Sequence, residues 1–251
     1  MFFEIPDHIY LTDFNDEIIV LDLLKDRYLI LPKDLSDVLA LALKMPFRKI
    51  NHQYFLMPHT KHFIAADDLD ATLHSLQDQN ILLGLDAFSP SNKIIEHKML
   101  LTGGPTLDWR IDVEKLKTPV SLKLFFKAYF CLIQVCWTLK RKGFYALIQK
   151  IKTAEKRKSN HNRTPNFEPL IKAMHKACYF YPAHTACLEW ASALTLLALK
   201  QNIPCRLQIG VQNLPFAAHA WVEYEGKIIA DQPNLSEQLS VILSEPLEDM
   251  K

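Results

Sequence analysis

From Cys187 to Asp231 the chain prescribes a helix followed by strands, and seeds the helix's first turn and the last two strands with a thiol, an imidazole and a carboxylate. The helical run, Cys187-Leu188-Glu189-Trp190-Ala191-Ser192-Ala193-Leu194 and on through Leu199, has few polar positions, so it is expected to lie buried in the middle of a domain. Only its first turn, with Cys187, is left near solvent. Thr185 is placed to cap that turn, where free N–H groups and the positive end of the helix dipole favour a thiolate, the nucleophilic form of cysteine. A small structural cysteine is the plain alternative, because unpaired cysteines are often buried and inert.

His219 and Asp231 shift that balance. His219 lies inside the strand-like run Ala217-Ala218-His219-Ala220-Trp221-Val222-Glu223-Tyr224, and Asp231 ends the run Lys227-Ile228-Ile229-Ala230-Asp231. With Gly226 between them, the two runs predict a hairpin. A two-residue loop, Glu225-Gly226, puts Asp231 on the face opposite His219. A three-residue loop, Tyr224-Glu225-Gly226, sets the two directly across from each other and places Gly226 at the position that wants a left-handed backbone. The three-residue register is the expectation, because facing side chains have Cβ atoms about 4.5–5.5 Å apart, within reach of an imidazole–carboxylate hydrogen bond. A thiol needs a base and the base needs an orienting carboxylate, so the trio points to an enzyme.

The rest of the composition narrows the setting. With 251 residues and 49% hydrophobic content the chain can build one large core or two small ones. Lys+Arg 29 against Asp+Glu 28 leaves a net charge of +1, which favours neither nucleic acid nor an anionic membrane. Five cysteines without paired C-x-x-C spacing argue against a disulfide framework and a structural zinc site. The opening Met1-Phe2-Phe3-Glu4-Ile5-Pro6-Asp7 has no basic region followed by an apolar core, so no signal peptide is expected. The apolar stretch Leu122–Leu139 is interrupted by Lys123 and Lys127 and is read as too short and too charged to span a bilayer. A reducing bacterial cytoplasm is the expected location.

Residues 1–85 read as strands followed by helices: His8–Thr12, Glu17–Leu23 and Arg27–Leu31, then a helix from Asp34 to Lys44. A second helix opens near Asp67-Asp68, carries Leu69, Leu73 and Leu76 on one face, and is expected to stop at Gly84. That order predicts a small winged-helix-like unit. Residues 86–118, with Ser89-Pro90-Ser91-Asn92 and Gly103-Gly104-Pro105, read as a linker, and 119–251 as an α+β domain. Within the latter, Leu122–Leu139 is helical, Gly143 divides it from a shorter helix ending near Lys152, Lys150–Arg163 reads as a solvated basic loop, and Glu168–Tyr179 forms a further helix stopped by Pro182.

Other chemistry-bearing residues carry weaker signals. His59 and His62 are three apart with no third ligand in view, so a surface pair is the plainer reading. Cys131 and Cys136 read as core. Gln208, on the alternating run Arg206–Val211, is a candidate to face the site or the surface. No Gly-rich loop ending in Lys-Ser/Thr is present, so no cofactor is evident.

Together, Cys187-Leu188-Glu189, Ile209-Gly210-Val211 and Pro215-Phe216-Ala217-Ala218-His219-Ala220-Trp221-Val222-Glu223 resemble the bacterial lasso-peptide maturation proteases, the microcin-type B proteins, whose core is transglutaminase-like and related to the papain-like α+β enzymes. The resemblance is continuous from Ala173 to Asn234. More loosely, Ile19-Val20-Leu21-Asp22 and Tyr28-Leu29-Ile30-Leu31-Pro32 resemble that family's precursor-recognition domain, here fused to the protease part. The resemblance implies a leader peptidase with Cys187 as nucleophile, His219 as general base and acid, and Asp231 as its orienter. It implies that the leader adds as a strand along Arg27, Tyr28, Leu29 and Ile30, with the helix bearing Leu73 and Leu76 as the other wall. It also implies an asparagine-synthetase-like lasso cyclase as partner and an ATP requirement for which the sequence shows no site.

On this reading the thiolate attacks the leader's last carbonyl and water resolves the thioester, with the backbone N–H of Cys187 as an oxyanion donor. Two rivals stand beside it: acyl transfer to an amine through the same thioester, and a non-catalytic peptide-binding scaffold.

Overall fold

The computed structural model describes residues 2–15, 17–43, 48–50, 53–55, 66–85, 97–98, 119–155 and 165–246. Its contacts divide the chain into two compact units, 1–103 and 104–251. Both mix helix and sheet, so the α+β class holds.

In the first unit, β1 (Phe2–Glu4) is followed by β2 (Ile9–Phe14), β3 (Glu17–Asp22) and β4 (Arg27–Leu31), an antiparallel meander. The β3–β4 turn is tied by Asp22, whose Oδ1 accepts the N–H groups of Leu24 and Lys25 at 3.1 Å each. Pro32 then ends β4, and α1 (Lys33–Leu43) begins. Ser36 pins α1 to the sheet: its hydroxyl accepts Ile18 N–H at 2.9 Å and donates to the Leu31 carbonyl at 3.0 Å. After a short hairpin, β5 (Arg48–Ile50) and β6 (Gln53–Phe55), comes α2 (Ala66–Asp78).

The expected stop of that helix at Gly84 is wrong. The chain leaves the helix at Asn80, which holds a left-handed φ of 58°, and Gly84 sits inside β7 (Leu83–Leu85), paired with Phe3 of β1. Asparagine tolerates the left-handed region through its short polar side chain, so it serves as the break. Ile9, Leu11, Ile18, Val20, Leu31, with Leu39 of α1 and Leu76 of α2, form the core of this unit. Of the expected linker 86–118, the described part is β8 (His97–Lys98), which pairs in parallel with Asp13 and Phe14 of β2. The described sheet therefore runs β4-β3-β2-β8, with β4 at one edge.

The second unit is built around α5 (Cys187–Leu199), in which every residue from Ala191 to Leu199 is buried. It packs on α3 (Leu122–Glu155), on α4 (Glu168–Phe180) and on a four-stranded antiparallel sheet. That sheet runs β11-β10-β9-β12, from β9 (Arg206–Gln212), β10 (Ala217–Tyr224), β11 (Lys227–Ile229) and β12 (Ser240–Glu245), with the short α6 (Leu235–Gln238) before β12. Gly143 does interrupt α3, with φ 80° and ψ 178°. Lys150 and Lys152 belong to the helix beyond that kink, which ends at Glu155, close to its expected end near Lys152, so the basic loop starts later than Lys150. Lys150 donates to Thr138 Oγ1 at 3.0 Å, and Lys152 pairs with the buried Glu245 at 2.9 Å. The remainder of the basic tract, 156–163, lies outside the described residues, as do His59 and His62.

Candidate active site

Cys187 is the first residue of α5. The residue before it, Ala186, is the N-cap in an extended conformation, and no side chain caps the helix. Thr185 is not the cap; it is hydrogen-bonded to the Cys178 thiol instead. The helix start is closed from the other side, where Glu189 Oε2 accepts the Ala186 N–H at 3.1 Å. This is the reciprocal half of a capping box, and a Glu three residues past the cap was its sequence signal. Within that first turn the Leu188 N–H hydrogen-bonds the Cys187 sulfur.

The hairpin carrying the other two groups has a different register from the expected one. Tyr224 pairs with Lys227, Glu223 with Ile228 and Val222 with Ile229, so the loop is the two-residue Glu225-Gly226. Both loop residues have positive φ, 48° and 74°, as a type I′ turn requires. Continued regularly, that register would turn Asp231 away from His219. The strand stops at Ile229, however, and Ala230 adopts φ 57°. This left-handed residue re-aims the chain, and Asp231 Oδ2 meets His219 Nε2 at 2.7 Å. The other carboxylate oxygen accepts the Gln232 N–H at 2.8 Å, which fixes the carboxylate's rotation. The pairing foreseen for His219 and Asp231 is thus present, through a bend rather than a three-residue loop.

With Nε2 engaged by Asp231, the remaining ring nitrogen of His219 is the one hydrogen-bonded to Cys187. Burial disfavours the charge on both residues, yet both are shifted toward their charged forms. For Cys187, burial raises the thiol pKa, but the hydrogen bond from His219 and the backbone N–H groups of Ala220 and Leu188 outweigh it and hold the thiol below its ordinary value. For His219, burial again opposes, and the hydrogen bonds with Asp231 and Cys187 overcome it, pushing the imidazole up to about 9. Because β11 reaches back only to Ile229, opposite Val222, the start of β10 has no partner strand on that side among the described residues. There the Ala220 N–H is free to face the sulfur.

The other four cysteines behave oppositely. Burial raises the thiol pKa of Cys131, Cys136 and Cys178, and pushes that of the deeply buried Cys205 up to about 12. Even Cys131, to which Lys200 Nζ donates at 3.7 Å, is raised, because burial outweighs the lysine; a thiol held in its neutral form is a poor nucleophile.

Two residues that the sequence did not single out for the site hold His219 in place. Trp221, two positions along the same strand, stacks on the imidazole with ring centroids 6.3 Å apart and planes at 23°. It is fully buried, seated on Leu235 and Leu239. Gly210 lies across from His219 in the register, and a Cβ there would come within 2.7 Å of both Leu239 Cβ and the Trp221 ring. Gly210 is therefore a glycine because an aromatic ring lies on its backbone. The i, i+2 spacing of His219 and Trp221 in a strand was the available signal. Gln208 pairs with Trp221 across β9–β10, which puts it on the His219 face; it is buried, not at the surface.

In the first unit, Arg27, Tyr28, Leu29 and Ile30 lie on the edge strand β4, half-buried except for Ile30, which is exposed. Leu29 leans on the core. Leu73 is half-buried against it, whereas Leu76 lies inside it at 3% exposure and offers no surface to a bound peptide. Leu76 is thus a packing residue and not a groove wall. Among the described residues, no group of three or more His, Cys, Asp or Glu side chains is arranged to hold a metal ion.

A model of the transglutaminase-like superfamily matches residues 131–244, the stretch running from within α3 to the end of β12. Along nearly its full length the chain is similar to the Microcin J25-processing protein McjB of Escherichia coli, with 25% identity over 239 residues, covering 92% of this chain and 96% of that protein. No solved structure matches.

Proposed function

We propose that the chain, which matches a transglutaminase-like superfamily model over residues 131–244 and resembles a microcin-processing protein almost end to end, is a cysteine peptidase that removes the leader from a ribosomally made lasso-peptide precursor. One observation carries the reading: of five cysteines, Cys187 alone is shifted toward the thiolate, and it is hydrogen-bonded to a histidine that Asp231 holds at 2.7 Å.

The chemistry follows from those positions. The Cys187 thiolate attacks the carbonyl carbon of the leader's last residue, and the oxyanion formed is met by the N–H of Cys187 at the start of α5. As the C–N bond breaks, the His219 imidazolium gives its proton to the departing amine. The thioester is then hydrolysed by water, whose proton His219 accepts, releasing the leader carboxylate and restoring the thiolate. Asp231 stays ionised throughout, orienting the ring and stabilising its positive form. The freed α-amine is the group that the asparagine-synthetase-like cyclase, the partner this resemblance implies, would join to a side-chain carboxyl. In the first unit, the edge strand β4 has the geometry to pair with an extended leader. The ATP requirement that the resemblance implies has no Gly-rich loop ending in Lys-Ser/Thr to serve it in the sequence. A reduced bacterial cytoplasm suits a free nucleophilic thiol.

The test is Cys187→Ala in the full chain, assayed by mass spectrometry of the cognate precursor alongside leader affinity. Cleavage is expected to vanish while binding stays within about twofold; substantial turnover would move the nucleophile elsewhere. Acyl transfer is the second reading, favoured by the superfamily match. It is distinguished by adding primary amines: a leader amide instead of a leader acid would establish it.

A further inference from the structure

Helix α3 turns a line of large apolar side chains toward solvent. Between Leu122 and the kink at Gly143 its inner face, Ala128, Cys131, Leu132, Val135 and Thr138, is buried. On the opposite side Leu122, Phe126, Phe130, Ile133 and Trp137 are 36–76% exposed. Their successive spacings of four, four, three and four residues set them along one stripe of the helix. The end of α4 widens the stripe: Phe180 meets Phe125 edge-on at 5.7 Å, and Tyr179 and Phe180 are both exposed. Soluble domains bury such a row or dock it.

The charges around the stripe say what docks. Lys123, Lys127, Lys140, Arg141 and Lys142 are all exposed on this part of the helix, and no Asp or Glu occurs from Leu122 to Ala154. Lys142 Nζ lies over the Trp137 ring, 5.4 Å from its centre, so base and aromatic are already associated. A second copy would set like charges against each other, which disfavours self-association. The occupant must be apolar and anionic. The stripe stands on a convex helix, and aromatic and aliphatic residues flanked by lysines are the pattern of helices that lie in the interface of an anionic bilayer. By length and composition Leu122–Ala154 is apolar enough to cross a membrane, but its other face packs on α4 and α5, so it cannot thread one.

We infer that the outer face of α3 binds the surface of an anionic lipid bilayer, with Leu122, Phe126, Phe130 and Trp137 in the headgroup–acyl boundary and the flanking basic side chains on lipid phosphates. The inference is independent of the catalytic assignment, since none of these residues touches Cys187, His219 or Asp231 in the contacts described above. A globally neutral chain hides the feature, because acidic residues elsewhere cancel the helix's charge.

The full chain is to be sedimented with vesicles of phosphatidylcholine alone and of phosphatidylcholine mixed with phosphatidylglycerol. Binding to the mixed vesicles only is expected, weakening with salt. The triple variant Phe126→Ser, Phe130→Ser, Trp137→Ser should lose binding at least tenfold. Lys123→Gln, Lys127→Gln, Lys140→Gln together should lose on the order of a hundredfold, at about fivefold per charge. All six positions are exposed, so far-UV circular dichroism and melting should match the wild type for both variants. The inference is overturned if neither vesicle binds the wild type, or if the charge variant binds as the wild type does. It is equally overturned by a stable dimer that the serine variant dissolves, or by binding to polyglutamate but to no vesicle, which would assign the face to an acidic protein.

Discussion

Asp231→Asn separates position from charge at the site. The amide is isosteric, and its oxygen can still accept from His219 Nε2, so the ring should stay close to its place. The negative charge is lost. In the native chain His219 is lifted from 6.5 to about 9, and after the opposing effect of burial the hydrogen bond with Asp231 is the leading cause of the rise. At about 1.4 kcal/mol per pH unit that rise is worth roughly 3 kcal/mol. The variant keeps the whole burial penalty but only the Cys187 contributions in favour of the imidazolium, so His219 should fall to or below its ordinary value. If the thiolate–imidazolium pair is the reactive form, the loss in kcat/KM near pH 8 is then on the order of 10²-fold. The pH dependence fixes the sign. A raised histidine pKa gives stabilisation that is complete below 6.5 and disappears as pH climbs through about 9; Cys187, lowered from 9.0, sets the acid edge of the reactive window. The alkaline edge near 9 should therefore retreat toward neutrality in the variant. The readouts are leader cleavage and iodoacetamide alkylation of Cys187 across pH, with Cys187→Ala as the background for the four slower thiols. An Asn variant with an unchanged alkaline edge and a rate within threefold of wild type would refute the assignment of Asp231 as the source of the shift.

Three further outcomes are expected. Gly210→Ala should destabilise by about 1–3 kcal/mol in urea unfolding, because a Cβ 2.7 Å from both Leu239 Cβ and the Trp221 ring can be admitted only by moving the ring that stacks on His219. Ala230→Val should cost roughly 1–2 kcal/mol and slow cleavage, since a β-branched residue resists φ 57°; Ala230→Gly should be nearly neutral in both assays, which a role for the alanine methyl would contradict. Ile30→Pro on the edge strand β4 should weaken leader binding, measured by fluorescence anisotropy, without changing Cys187 alkylation; undiminished affinity would rule out strand addition there.

Much of the second unit was legible because its signals are local. The apolar run after Cys187, the alternation in β10 and the glycine in the hairpin each report on a few adjacent residues, and helix, strand and turn formed where they were expected. His219 and Asp231 were likewise recognisable as partners, but the expected route was wrong. Glu225-Gly226 and Tyr224-Glu225-Gly226 are both acceptable loops, and the choice fell to how β10 and β11 pair and to a left-handed Ala230, a conformation alanine does not advertise. Asn80 ended α2 in place of Gly84 for a similar reason, since the glycine was needed in a strand beside Phe3. Which cysteine is reactive depends on a histidine thirty-two positions away and on the Ala220 N–H, contacts that exist only once α5 is packed on the sheet. The same holds for α3. Its run Leu122–Leu139 was legible as an apolar helix, because hydrophobicity states a preference for burial, while only the packing of neighbouring helices decides which of its faces is buried and which is left to meet something else.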